Sequence, residues 1–215
     1  MKTVLCFGDS NTWGLIAGTQ KRYPWGVRWT SLLQDKLNVD EFRVVEEGLC
    51  GRTTVFEERA RAGRAASAAL PFILETHAPI SLVVLMLGTN DCKTEYHASV
   101  EQICRGVDCL LHQIRDAAGD CKILLVSPIA LGNEVWKPEY DPDFDEQSIE
   151  KSKKLKYALK ALAEKRKVAY LAASDYAAPS RADQEHLDES GHRSLADAIY
   201  RQVQKMLAES SEGAA

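Results

Sequence analysis

Short unbroken apolar runs alternate along the chain with longer segments in which apolar residues recur every three to four positions. Runs rich in Val, Ile and Leu suit strands covered on both faces, and the longer period suits helices that pack by one side. The pattern predicts strands at 3–7, 42–46, 82–87, 123–127 and 168–171, with helices at 29–37, 65–75, 100–118, 148–166 and 191–207. Strand and helix in alternation imply βαβ units, so the expected fold is a three-layer α/β/α arrangement around a five-stranded parallel sheet. The run at 82–87 is the most strongly marked, being wholly apolar and ending at Gly88.

In open parallel sheets, ligands bind beyond the carboxyl ends of the strands, where the loops diverge. The first three such loops are polar and contain glycine: Gly8-Asp9-Ser10-Asn11, Gly48-Leu49-Cys50-Gly51 and Gly88-Thr89-Asn90-Asp91. One long loop, 132–145, carries prolines, aromatics and acids, and loops of that length inside compact domains are commonly functional. Neither a repeat nor a flexible linker divides the 215 residues, so a single domain over 1–215 is expected, with 209–215 as a frayed tail.

Charge narrows the partners. With 27 Lys+Arg against 31 Asp+Glu the formal net charge is -4, which leaves no positive field to hold nucleic acid. The apolar run at 4–7 is too short for a signal-peptide core or a membrane span, so a cytoplasmic protein is expected. Six scattered cysteines without a C-x-x-C pair point to free thiols and indicate neither a disulfide framework nor a metal site.

A serine hydroxyl attacks esters only when a base takes its proton, which requires an exposed turn and a histidine brought to it. Ser10 follows a buried strand and Gly8, a suitable turn. Asp183-Gln184-Glu185-His186 supplies a D-x-x-H spacing in which the carboxylate can fix the imidazole tautomer. His192 competes as base, but only His186 has an aspartate three residues earlier. The Gly51 backbone N–H, the Asn90 side-chain amide and the Ser10 N–H are candidate donors to a developing oxyanion. Cys50 is a weaker alternative nucleophile, Asp9 and Asp91 fit turn-bracing better than acid/base work, and Arg59, Arg61 and Arg64 suit a solvated face. Thr12 and Trp13, just after the nucleophile, are candidate substrate contacts, with the 132–145 loop as a second wall of a small apolar acyl pocket. A histidine base of ordinary basicity would lose activity as pH falls through roughly 6 to 7.

The segments FGDSNTWG, EEGLCGRTT, MLGTNDCK and DQEHLDESGHRSLA carry Ser, Gly, Asn and His in that order between residues 7 and 195. This set resembles the SGNH (GDSL-like) hydrolase superfamily, and most nearly its bacterial arylesterase and acyltransferase group. The resemblance implies the flavodoxin-like SGNH hydrolase fold, the triad Ser10, Asp183 and His186, and the oxyanion hole Ser10, Gly51 and Asn90. It implies a cofactor-free serine esterase acting on small acyl esters, acetyl or aryl, with acyl transfer as a companion activity and a homo-oligomeric assembly. Carbohydrate acetylesterase and lysophospholipase or thioesterase activities share that chemistry, and a non-catalytic binding module is the alternative of another class. One departure is Glu46, where the superfamily's second block often begins with Asn.

Overall fold

The structure, a computed structural model, describes the backbone of residues 1–212 and the side chains of residues 1–208. Five parallel strands, β1 (Lys2–Gly8), β2 (Phe42–Gly48), β3 (Ile80–Met86), β4 (Lys122–Ser127) and β5 (Ala169–Ala172), form one sheet in the order β2-β1-β3-β4-β5. Helices α1 (Ser10–Trp13), α2 (Trp29–Lys36), α3 (Ala66–Thr76), α4 (Val100–Ala118), α5 (Glu146–Arg166) and α6 (Glu189–Glu212) connect or follow them.

Strand period 2 sorts the core into two clusters. Leu5, Phe7, Val83, Leu85, Ile123 and Leu125 face α3, α4 and α5, among whose buried residues are Leu70, Ile103 and Leu159. Their sequence neighbours Val4, Cys6, Leu82, Val84, Leu124 and Val126 face α2 and α6, against Trp29, Leu33, Leu195 and Ile199. The strands are therefore buried on both sides, which is why they read as apolar runs without alternation.

The elements fall where the periodicity put them, with shifted ends. β2 runs on to Gly48 because it stays in register with β1, Gly8 opposite Gly48. α6 starts at Glu189, two residues before the expected 191, because the Asp188 carboxylate accepts the Gly191 N–H and the Ser190 hydroxyl, both at 2.8 Å. Of the tail expected at 209–215, residues 209–212 belong to α6, and 213–215 lie outside the described residues.

The order β2-β1-β3 positions the site. The chain winds outward in opposite directions from β1 and β3, so the loops leaving their carboxyl ends part and open a crevice. Gly8 is in register with both Gly48 and Met86, so the three polar loops leave the sheet at one level. Leu49 N–H donates to Gly8 O at 3.1 Å, and the buried Arg52 guanidinium donates to Gly8 O at 2.9 Å and to Glu47 O. Gly8 itself has to be glycine: a Cβ there would overlap the Thr12 hydroxyl and the Met86 carbonyl.

Candidate active site

Ser10 opens the single-turn helix α1 directly after β1. Asp9 caps that turn, its Oδ1 accepting the Asn11 N–H at 3.0 Å, and Gly14 ends it in a left-handed conformation at φ 86°. His186 comes from the opposite end of the chain, on the loop between β5 and α6. There Asp183 Oδ1 accepts the backbone N–H of Glu185 at 3.0 Å and of His186 at 2.9 Å. Its Oδ2 accepts from His186 Nδ1 at 2.7 Å and from Gly18 N–H at 2.9 Å. A proton held on Nδ1 by that carboxylate leaves Nε2 as the acceptor, and Nε2 lies 2.8 Å from Ser10 Oγ.

Other contacts hold the two loops together. Asn11 Oδ1 accepts the Leu187 N–H at 2.9 Å and its Nδ2 donates to Glu185 O at 3.4 Å, so the residue after Ser10 clamps the backbone on either side of His186. The long loop at 132–145 docks on the same segment through Gly132 N–H to Gln184 O at 2.7 Å. It also reaches the loop after β3, where Lys93 Nζ meets Asp143 at 2.9 Å and Asp141 at 3.4 Å.

The surroundings make His186 unusually basic. Burial opposes its protonation, but Glu185, Asp183 and Asp9 together outweigh burial and lift it well above the usual imidazole range. Burial pulls Asp183 the other way, yet its hydrogen bond to His186 and the imidazole's charge hold it well below the usual carboxylate range. His192 is the opposite case. It is fully buried, accepts the Trp29 N–H at 3.3 Å on Nδ1, packs edge-on against Tyr23, and burial drives it down to about 4. It is a neutral core histidine without a contact to Ser10.

The remaining candidate oxyanion donors come from the loops after β2 and β3. Asn90 Nδ2 donates to Arg52 O at 3.1 Å, which orients the amide and leaves its second hydrogen. Gly51 takes φ 79°, and its N–H meets no protein acceptor among the described residues. A Cβ at Gly51 would meet only the tip of the flexible Arg61 side chain, which can move aside, so it is the left-handed conformation that calls for glycine. Asp91 braces this region, accepting the Thr54 N–H at 3.0 Å as well as its hydroxyl, and Asp9 caps α1, so both acids serve the turns.

Thr12 is not a substrate contact. It is fully buried, its hydroxyl turned inward against Gly8, because α1 rides directly on the strand ends. Trp13 is half-buried with the Arg22 guanidinium 5.3 Å over its ring. In the 132–145 loop, Trp136 is exposed and Val135 and Phe144 join the core, so these two apolar residues are not available as a pocket wall. The Cys50 thiol is raised to about 11 by burial and by Asp9, which removes the nucleophilic thiolate. Arg61 belongs to no helix. It lies in a loop, pairs with Glu58 through two bonds at 2.8 and 2.7 Å, and overhangs Gly51. Glu46 is held by Arg28 at 3.0 and 2.7 Å, Arg22 at 3.3 Å and the Thr30 hydroxyl, an ion-pair cluster with no contact to the Ser10 to Asp183 chain. Asn11 and Glu185 were missed in the sequence; each stands inside a recognised block, but what it touches depends on loops some 170 residues apart in sequence.

A model of the GDSL-like Lipase/Acylhydrolase family matches residues 6–194. The chain belongs to that family. This GDSL hydrolase is similar to the aryl esterase of M. smegmatis in its inhibitor-bound form, at 33% identity and TM-score 0.88 over 95% of this chain and 99% of that one. It is similar also to a carbohydrate acetylesterase from Sinorhizobium meliloti, at 36% identity and TM-score 0.88 over 96% of this chain and 100% of that one. No curated protein matches it significantly. The GDSL hydrolase is accordingly an ester-hydrolysing enzyme with the SGNH fold. Among its described residues, no helix is long and apolar enough to cross a membrane.

Proposed function

We propose that Ser10 is the nucleophile of this hydrolase, His186 its general base, and Asp183 the group that orients and charges the base. His186 Nε2 takes the hydroxyl proton as Ser10 Oγ attacks the ester carbonyl. The Ser10 and Gly51 N–H groups and the Asn90 amide receive the resulting oxyanion. The imidazolium then returns its proton to the departing alkoxide, and water or a second alcohol resolves the acyl-enzyme by the reverse sequence. The unbroken hydrogen-bond chain from Asp183 through His186 to Ser10, at 2.7 and 2.8 Å, carries this reading.

Short acyl groups, acetyl first, are the proposed substrates, with acyl transfer to alcohols as a companion activity. A fluorophosphonate probe should label the wild-type chain and not Ser10→Ala, which should also lose several orders of magnitude of turnover on phenyl acetate. Retained labelling or turnover in that variant would overturn the assignment.

Acetylated sugars are a second substrate reading, favoured by the charged groups near the site: Arg61 with Glu58 over Gly51, and Lys93 with Asp141 near Glu185. Higher kcat/KM on acetylated xylose than on phenyl acetate would select it. A cytoplasmic homo-oligomer is also proposed, with exposed Trp25 and Trp136 suited to subunit contact. Light scattering on the eluted protein tests it, and monomer alone would reject it.

A further inference from the structure

We propose that Glu185 is a positioning residue of the esterase, its carboxylate lying near His186 Nδ1 beside the Asp183 contact and sharing with Asp183 the work of holding the imidazolium. Glu185 Oε2 is 3.8 Å from His186 Nδ1, against 2.7 Å for Asp183 Oδ2, so one nitrogen faces two acids. The residue is 6% exposed, and its side chain makes no hydrogen bond among the described residues. Its backbone is fixed on both sides, the N–H by Asp183 at 3.0 Å and the carbonyl by the Asn11 amide at 3.4 Å. The carboxylate is therefore held in place by the same turn that holds the histidine.

Burying an acid without a partner is costly, so a carboxylate in this position needs a cation. Lys93 is the nearby candidate from the loop after β3, but its ammonium is engaged by Asp143 and Asp141 from the 132–145 loop. The cation in contact with Glu185 is His186 itself, once it has taken the Ser10 proton. Other charged or titratable groups around the ring act in the same or a weaker sense. Asp9, from the loop after β1, adds negative potential; Cys50, from the loop after β2, keeps its proton; and His192 on α6 stays neutral. Burial raises Glu185 itself; His186 and Lys93 counter that rise, and Asp141 from the 132–145 loop and Asp183 add to it.

The mechanistic consequence has two sides. A second carboxylate stabilises the imidazolium that forms in the transition state, and it equally stabilises the protonated resting enzyme, which cannot act as base. Removing the charge should therefore help at acid pH and harm at alkaline pH.

The inference rests on the Ser10 and His186 assignment and is tested separately from it. kcat and KM for phenyl acetate would be followed from pH 5 to 10 in the full-length wild type, Glu185→Gln, Glu185→Asp and Ser10→Ala. In Glu185→Gln the acid limb of kcat/KM should move down by about one pH unit. At pH 6.5 its fraction of plateau activity should rise about tenfold, its alkaline kcat should fall, and its KM should hold. Glu185→Asp, which keeps the charge but withdraws it, should lie between and stands in should the glutamine variant not fold. A limb unmoved in both variants, or an effect confined to KM, would overturn the proposal while leaving the serine mechanism intact. Activity retained in Ser10→Ala would instead remove the mechanism on which it rests.

Discussion

At the scale of single residues, one imidazole carries the consequences. Its raised basicity, about 9 through Glu185, Asp183 and Asp9 despite burial, corrects the expectation of an acid limb near pH 6 to 7. Only neutral His186 can accept the Ser10 proton, so activity should climb with pH until the imidazolium is titrated. The limb of kcat/KM is therefore expected near pH 9, and a profile already flat at pH 7 would contradict it. Asp183→Asn keeps the shape but donates where the imidazole needs an acceptor, which favours the wrong tautomer; turnover should drop by roughly three to four orders of magnitude. Asn90→Ala removes one of the proposed oxyanion donors and should lower kcat by about a hundred- to a thousand-fold with little change in KM. Steady-state kinetics at saturating phenyl acetate reads both.

At the scale of elements, the shortest one matters most. α1 has four residues, and its placement depends on the absence of a side chain at Gly8 beneath Thr12 and on the Asn11 clamp to the His186 loop. Gly8→Ala should force α1 off the strand ends, lowering stability by about 1–3 kcal/mol and moving Ser10 from His186. Chemical denaturation together with kcat/KM would show both losses, and normal activity in a stable Gly8→Ala would mean the turn tolerates a shift. The strands and long helices were legible in the sequence because burial on one or two faces leaves a period. The meeting of Ser10, Asp183 and His186 was legible because the turn after β1 and the D-x-x-H spacing are local. The Asn11 clamp on the backbone around His186 and the Arg61 overhang of Gly51 were not, since each joins two loops and no local pattern encodes which loops meet; Glu185 was not, since its sequence position beside His186 does not say that its side chain is buried against the ring. Thr12 misled for a related reason: a polar residue beside a nucleophile looks solvent-facing until the helix is seen resting on the sheet.

At the scale of the whole molecule, the other buried histidine links fold stability to pH. α2 and α6 pack against the same face of the sheet, and His192 joins them by accepting the Trp29 N–H. Its ring is held neutral down to about 4, whereas in the unfolded chain it would ionise near 6.5. Between those values the unfolded state binds the extra proton, so this contribution is complete above pH 6.5 and is lost as pH falls toward 4. The loss is on the order of 3 kcal/mol. Asp9 and Asp91, raised by burial to about 7 and 6, titrate in the opposite sense over an overlapping range, so the wild-type curve alone does not isolate the histidine. A His192→Gln comparison does. Glutamine can still accept from Trp29 but does not titrate, so its stability deficit at pH 7.5 should shrink or reverse by pH 4.5 in urea melts. A deficit of constant size across that range would show that protonation of His192 is not coupled to unfolding. Such a melt also separates the two histidines, because His186, raised instead of lowered, gives up its contribution as pH rises through the alkaline range where activity is expected to climb.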